Sequence, residues 1–241
     1  MTENEFKEFL SSINVNLTEK QFLELDKYYE MLISANQNIN LTGITEKKDV
    51  YLKHFYDSLT LNSIVDLSKI NTFCDIGTGA GFPGLVVKIA FPNIKVTLLD
   101  SLTKRTEFLK SVIKELDLQD IEVINVRAEE YKNREFFDLV TARAVAQANI
   151  LLELAAPLAK DKIVLMKGNI NDELKNSKHF ETELGIKLLA KKEFFLPIEN
   201  SKRTLICYEK IAKTPLKYPR RYDQIKKKTI IGGLWIILIK K

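Results

Sequence analysis

The sequence predicts an α/β protein: a doubly wound, mostly parallel sheet behind a helical N-terminal extension. Three observations carry this. Short apolar runs recur from residue 72 to residue 167 without strict alternation and with helical stretches between them, as strands buried on both faces require. Residues 1–66 instead show helical spacing. Finally, the stretch CDIGTGAGFPG (74–84) hangs four glycines on the end of the first apolar run.

The elements follow in chain order. In LTEKQFLELDKYYEMLISANQ, Thr18 and Gln21 have capping-box spacing, and Phe22, Leu25, Tyr29, Leu32 and Ile33 recur at helical intervals. After the turn NLTG, a second amphipathic helical stretch reads EKKDVYLKHFYDSLTLNSI. The expected strands are TFCDI (72–76), KVTLLD (95–100), EVINV (122–126), FDLVTA (137–142) and KIVLMK (162–167), with RTLICYEK (203–210) as a late addition. The expected division is a helical part (1–66), a sheet domain (67–212) and a basic C-terminal segment with an apolar tail (213–241).

Composition narrows the class. Cys74 and Cys207 are too few for a disulfide framework and lack metal-ligand spacing, which points to a reducing compartment and no metal. The start MTENEFKEFL lacks the basic-then-apolar order of a signal peptide. The longest apolar run, IIGGLWIILI (230–239), has ten residues, and a spanning helix needs about 20. A soluble cytoplasmic protein without membrane contact, favoured as a monomer, is expected. Net charge is +5, and residues 213–228 hold seven Lys or Arg against one Asp. That segment is either a polyanion surface or a solvated tail.

The glycine stretch leads from the first strand into the helix GLVVKIAF, at the strand's carboxyl end, where open α/β sheets bind ligands. Two spacings compete there. Gly79, Gly81 and Gly84 fit the dinucleotide G-x-G-x-x-G, while Asp75, Gly77, Gly79 and Gly81 fit the D-x-G-x-G-x-G of enzymes that use S-adenosylmethionine. Asp75, inside the strand, favours the second, as an acid that orders the loop and faces the cationic methionine end. Pro83 removes an N–H and Phe82 adds bulk beside the ligand, both better suited to adenosine than to a pyrophosphate. Asp100 closes the second strand as a partner for a ribose diol. Ala128 and Glu129, after the third strand, offer an edge to adenine. Any one of these acids alone reads as a strand-end charge; their joint placement points to a nucleoside.

The fourth strand ends in TARAVAQ, without the Asn/Asp-Pro-Pro-aromatic motif of enzymes that methylate exocyclic amines. Both cysteines lie within strands, as core residues rather than nucleophiles for pyrimidine carbon. The acceptor atom should therefore carry its own lone pair, as guanine N7 does. Catalysis would then rest on alignment and exclusion of water, with no obligatory general base.

Seven segments together carry a resemblance: NLTGI (40–44), HFYDSL (54–59), DIGTGAGFPG (75–84), LLDSLTKRTEFL (98–109), VRAEEY (126–131), FDLVTARAV (137–145) and MKG (166–168). Over roughly residues 1–220 the chain resembles the bacterial ribosomal RNA small subunit methyltransferase G family, also called glucose-inhibited division protein B. The resemblance implies a Rossmann-like class I methyltransferase sheet and transfer of a methyl group from S-adenosylmethionine to N7 of one guanosine in the decoding-region hairpin of 16S rRNA. The partner would be 16S ribosomal RNA or the small ribosomal subunit. Carried onto this sequence, it places cofactor contacts at Gly77, Phe82, Ala128, Glu129 and Arg143, beside Asp75, Gly79, Gly81 and Asp100 from the residue reading.

No catalytic residue is assigned, and Arg127 is the candidate positioning residue. Lys104, Arg127, Lys167, Arg203, Arg220 and Arg221 are the RNA candidates, each weighed against a plain solvated charge. His54, beside Phe55 and Leu59 on an apolar helical face, has the place of a packing histidine. The chain departs from the family at its end, where YPRR continues into YDQIKKKTIIGGLWIILIKK instead of a short glycine- and proline-bearing basic end. An added strand or helix packed on the domain is the plain expectation for that tail. Two other readings stay open: a nicotinamide-dependent oxidoreductase, and a non-catalytic RNA-binding module with a nucleoside pocket.

Overall fold

The computed structural model describes residues 2–143, 146–168, 177–227 and 230. Ala144, Val145, Lys228 and the apolar run beyond Ile230 lie outside these, and with them part of the FDLVTARAV segment and the expected tail element.

The N-terminal part is helical, as its spacing requires. Helix α1 (Glu3–Ser12) and helix α2 (Glu19–Ile39) each open on a capping box, at Thr2 with Glu5 and at Thr18 with Gln21. Asn40, with φ of 52°, ends α2 in the left-handed conformation that Asn tolerates. Helix α3 (Lys47–Val50) continues through a π turn (Tyr51–Tyr56) into α4 (Asp57–Leu59) without a break. The π turn helps bring His54, Asp57 and Ser58 to the site described below, the kind of place where such turns recur.

The sheet begins with β1 (Thr72–Ile76), followed by α5 (Gly84–Ala90), β2 (Lys95–Asp100), α6 (Thr103–Glu115) and β3 (Ile121–Asn125). Next come β4 (Phe137–Arg143), α7 (Ala148–Ala155), β5 (Ala159–Lys167) and α8 (Ser177–Leu184). The chain then forms β6 (Ile186–Phe195), β7 (Lys202–Lys210) and a short α9 (Tyr222–Lys227). The order is β3-β2-β1-β4-β5-β7-β6, and β7 runs antiparallel to both neighbours. All six expected strands are present. β6 is an addition that the sequence reading missed, because its IKLLAKKEFF run is largely exposed and interrupted by lysines, the composition of a protected sheet edge.

β1 pairs with β2 on one side and β4 on the other, so the chain reverses its direction of winding between β1 and β4. A crevice opens above their carboxyl ends. One hydrophobic core unites α1, α2, α5 and α6 with one face of the sheet, through Phe6, Leu25, Tyr28, Phe55, Leu85, Leu98 and Leu109. The opposite core gathers Leu151, Leu154, Phe180, Leu184, Tyr208 and Ile225. The N-terminal helices therefore pack directly behind the glycine loop. The Tyr28 hydroxyl donates to the Ala80 carbonyl, and Gln21 donates to the Ile89 carbonyl at 2.7 Å at the end of α5.

Candidate active site

The loop between β1 and α5 is held from below by Asp75. This carboxylate is fully buried, and its Oδ2 accepts from the Gly84 amide at 2.8 Å, tying the loop's far end to the strand it leaves. Its Oδ1 is buried without a hydrogen bond, as is the neighbouring Thr78 hydroxyl. Burial raises the Asp75 pKa to about 7, partly offset by the Gly84 amide on Oδ2.

The glycines have separate reasons. Gly77 and Gly79 have φ of 66° and 61°, and a side chain at Gly79 would meet nothing closer than 4.0 Å, which leaves that side of the loop open. Gly81 combines a φ of 108° with close packing, since a Cβ there would come within 2.7 Å of the Tyr28 hydroxyl; at Gly84 the absent side chain serves packing, with a Cβ 2.3 Å from Leu98. Gly84 lets α5 pack closely on β1 and β2, a role that the third glycine of the dinucleotide spacing also has, so it does not decide between the two spacings.

Above the ends of β1, β2 and β3 lies a pocket of about 210 Å³, whose lining includes Gly77, Asp100, Arg127, Ala128 and Glu129. Five predicted positions therefore meet. Asp100 is spent on order as well as display: Oδ2 accepts from the Gly79 amide at 2.9 Å, Oδ1 from the Leu102 amide at 2.9 Å, and Arg105 stands 3.5 Å away. Each oxygen keeps a further lone pair for a ribose hydroxyl. The loop's open face, the unused oxygen beneath it and the acid beside it fit a nucleoside with a cationic substituent.

Phe82 departs from expectation. Its ring stacks on His54 with centroids 4.3 Å apart and approaches Tyr28 at 5.7 Å, inside the aromatic cluster under the N-terminal helices. The ring's bulk is used in packing, and only the backbone of Phe82 is left to meet a ligand.

Arg143 lies in a second pocket of about 200 Å³, over β4, β5 and β7, with Asp57, Met166, Lys167, Gly168, Arg203 and Leu205. Asp57, a residue the sequence reading did not single out, is the hinge of this pocket. Its Oδ2 stands 3.1 Å from the Arg143 guanidinium and its Oδ1 3.2 Å from Nε of Arg203, with the carboxylate buried. Arg143 also donates to the Lys53 carbonyl at 2.6 Å. Arginine only donates, so Nδ1 of His54, 3.3 Å from it, accepts, and Nε2–H donates to the Thr42 hydroxyl at 2.8 Å. Burial, then the Arg143 charge, pushes the His54 pKa down to about 3, so the ring is neutral. It is the packing histidine expected, with an added duty as a bracket for Arg143. Lys167 donates to the Ala146 carbonyl.

The remaining basic candidates divide. Lys104, Arg127 and Arg221 are exposed. Arg220 is committed: its backbone N–H and guanidinium make three hydrogen bonds of 2.6–3.0 Å with the fully buried Glu153 of α7. Burial holds the Cys74 thiol well above its ordinary pKa and raises Cys207 to about 11, which leaves no thiolate nucleophile. Among the described residues, no group of His, Cys, Asp and Glu is arranged to hold a metal, and no helix is long and apolar enough to cross a membrane.

The family model for rRNA small subunit methyltransferase G matches residues 21–203. The chain belongs to that family. Curated relatives of the same name agree along nearly the whole length: the Lysinibacillus sphaericus protein is 45% identical over 92% of this chain and 96% of its own. The Bacillus subtilis protein is 43% identical over 96% of this chain and all of its own. Magnesium protoporphyrin IX methyltransferase from Synechocystis PCC 6803, solved with bound SAM, superposes with a TM-score of 0.55 at 14% identity, over 80% of this chain and 98% of that one. A putative RNA methyltransferase from Pyrococcus horikoshii gives 0.51 at 16% identity, over 77% of this chain and all of that one. At such identities these two establish the class I methyltransferase fold.

In this member of the family, then, the two pockets sit on either side of the point between β1 and β4 where the winding reverses. The signal for Asp57 was present in HFYDSL, an acid inside an otherwise apolar helical face. Leu154 and Tyr222, which complete the lining of the first pocket, gave no sequence signal at all.

Proposed function

We propose that the protein transfers a methyl group from S-adenosylmethionine to N7 of a guanosine in the decoding-region hairpin of 16S ribosomal RNA, in the cytoplasm, as a monomer. The observation that supports this most is the pairing of a nucleoside-sized, acid-lined pocket with an adjoining basic one at the same end of the sheet. S-adenosylmethionine, when bound, supplies an electrophilic methyl on sulfur. The chain's own part is to hold and to exclude. Gly77 and Gly79 let backbone approach the ligand, Asp100 receives the ribose hydroxyls, Ala128 and Glu129 meet the adenine edge, and Asp75 offers its buried oxygen to the cationic end.

Arg143, Lys167 and Arg203 give the second pocket a net positive charge despite Asp57, which suits the phosphate and base of an RNA nucleotide. Guanine N7 has its lone pair in the ring plane and needs no deprotonation, in keeping with a neutral, committed His54 and an Asp57 bracketed by two arginines. Arg127, exposed at the pocket rim, positions the RNA; Lys104 and Arg221 add phosphate contacts. In this reading residues 1–66 brace the glycine loop and lend Asp57 to the second pocket, 67–212 carry most of both pockets, and 213–227 supply an RNA-facing surface.

Calorimetric titration with S-adenosylmethionine and with NADH tests the cofactor, and methyl transfer to 16S rRNA or to the assembled small subunit tests the reaction. Binding of NADH alone would return the dinucleotide reading. Binding of S-adenosylmethionine without transfer to either substrate would leave an RNA-binding module.

A further inference from the structure

The basic segment after β7 is a docked wall. Arg134 donates to the Tyr218 carbonyl at 2.6 Å and to the Thr214 carbonyl at 2.9 Å, Arg220 clamps Glu153, and Ile225 is fully buried in the core beneath α7. Between those anchors the chain presents Tyr222, half-buried, to the nucleoside pocket, where it joins Leu154, Val126, Ile76 and Leu99 as apolar lining. Lys226 Nζ stands 5.8 Å from the centroid of its ring. The remaining lining is the polar rim of Asp100, Ser101, Arg127 and Glu129 with Gly77 and Ala128. Among the described residues, Tyr222 is the sole aromatic ring in that lining, and a purine gains most from a flat π surface in an otherwise aliphatic pocket.

The geometry points to Tyr222 as a cofactor-binding residue that packs its ring against the adenine of the bound nucleoside, held in place by the Arg220–Glu153 clamp. This rests on the nucleoside-cofactor reading above and adds to it a contact from the C-terminal segment. Because Glu153 immediately precedes Leu154, the clamp fixes the aromatic wall and the aliphatic wall of the pocket together. Arg220 is therefore a positioning residue for the cofactor, in place of the RNA contact that its sequence suggested.

The test is equilibrium binding, by calorimetry on the full chain, of S-adenosylhomocysteine and of 5′-methylthioadenosine, which keeps the adenosine and lacks the amino-acid end. Tyr222→Ala should raise both dissociation constants by about tenfold, and by the same factor, while Tyr222→Phe stays within about twofold of the parent because the ring carries the contact. Arg220→Ala should show a smaller loss on both ligands. Should Tyr222→Ala fail to fold, Tyr222→Leu fills the space without the flat ring and must show the loss. If the parent binds neither ligand, the cofactor reading itself fails. If the parent binds both and Tyr222→Ala or Tyr222→Leu binds them equally well, or Tyr222→Phe loses as much as Tyr222→Ala, the assignment of Tyr222 is overturned and the cofactor reading stands.

Discussion

The Gly84 amide donates to Asp75 Oδ2 at 2.8 Å, so the last residue of the glycine loop is fastened to the strand from which the loop departs. The bond closes a ring of backbone around the pocket floor and keeps a carboxylate in the interior, where burial lifts its pKa to about 7.

A stability prediction follows from that pKa. A carboxyl raised from 3.8 to about 7 holds more protons in the folded than in the unfolded chain between those values, so stability falls as pH rises through that window. Asp75→Asn keeps an acceptor for Gly84 and removes the titration. Relative to the parent, the variant should gain stability from pH 4 to pH 8, by up to about 4 kcal/mol, in urea unfolding series. A parent–variant difference independent of pH would mean that Asp75 is ionised throughout.

Asp57 holds Arg143 and Arg203 in one pocket, and removing one partner of a buried pair leaves charge uncompensated. Asp57→Ala should cost roughly 3 kcal/mol of stability. Arg143→Ala should depress methyl transfer far more than Lys217→Ala, because Lys217 is an exposed partner of Glu183 and lines neither pocket. Steady-state assays at low salt compare the two, and a worse Lys217 variant would move the active centre.

Asp100 accepts from the loop and from the start of α6, so its replacement has two effects. Asp100→Ala should lower S-adenosylmethionine affinity by about ten- to a hundredfold, through lost charge-assisted hydrogen bonds worth roughly 1.5–3 kcal/mol. Asp100→Asn keeps one acceptor oxygen and should retain the loop's order while losing part of the affinity. Calorimetry with thermal melts separates these effects; unchanged affinity in both variants would remove Asp100 from the ligand.

The legible parts were those with periodicity or glycine punctuation. Strands β1 and β2 agree with expectation to the residue, and the rest within a few positions: the parallel strands because they are covered by helices on both faces, and the antiparallel β7 because it lies between β5 and β6 with a buried centre. β6 escaped because an edge strand needs no such run. Around the site, Gly77, Asp100, Ala128 and Glu129 were legible because strand ends and loop spacing place them together. Asp57 and Tyr222 reach their pockets, and His54 its place behind Arg143, from distant segments; HFYDSL shows the Asp57 acid but not the π turn that aims it, and the docking of Tyr222 leaves no trace in linear spacing. Phe82 shows the opposite failure: a residue in the right loop whose ring the core claimed.

RNA binding should depend on salt with a slope of about −0.7 per phosphate contact for single-stranded RNA. Arg221 and Lys227 are exposed on the docked segment, so replacing both with Ala should flatten the slope by about 1.4 and leave S-adenosylmethionine affinity near that of the parent. An unaltered slope would confine RNA contacts to Lys104, Arg127, Lys167 and Arg203.

The most direct measurement is mass spectrometry of 16S rRNA digests from cells that carry the protein, cells that lack it, and cells that lack it but express either the parent chain or Arg143→Ala. The account predicts a 7-methylguanosine in the fragment spanning the decoding-region hairpin, lost with the protein, restored by the parent chain and not by the variant. An identical 7-methylguanosine content in that fragment with and without the protein would contradict it.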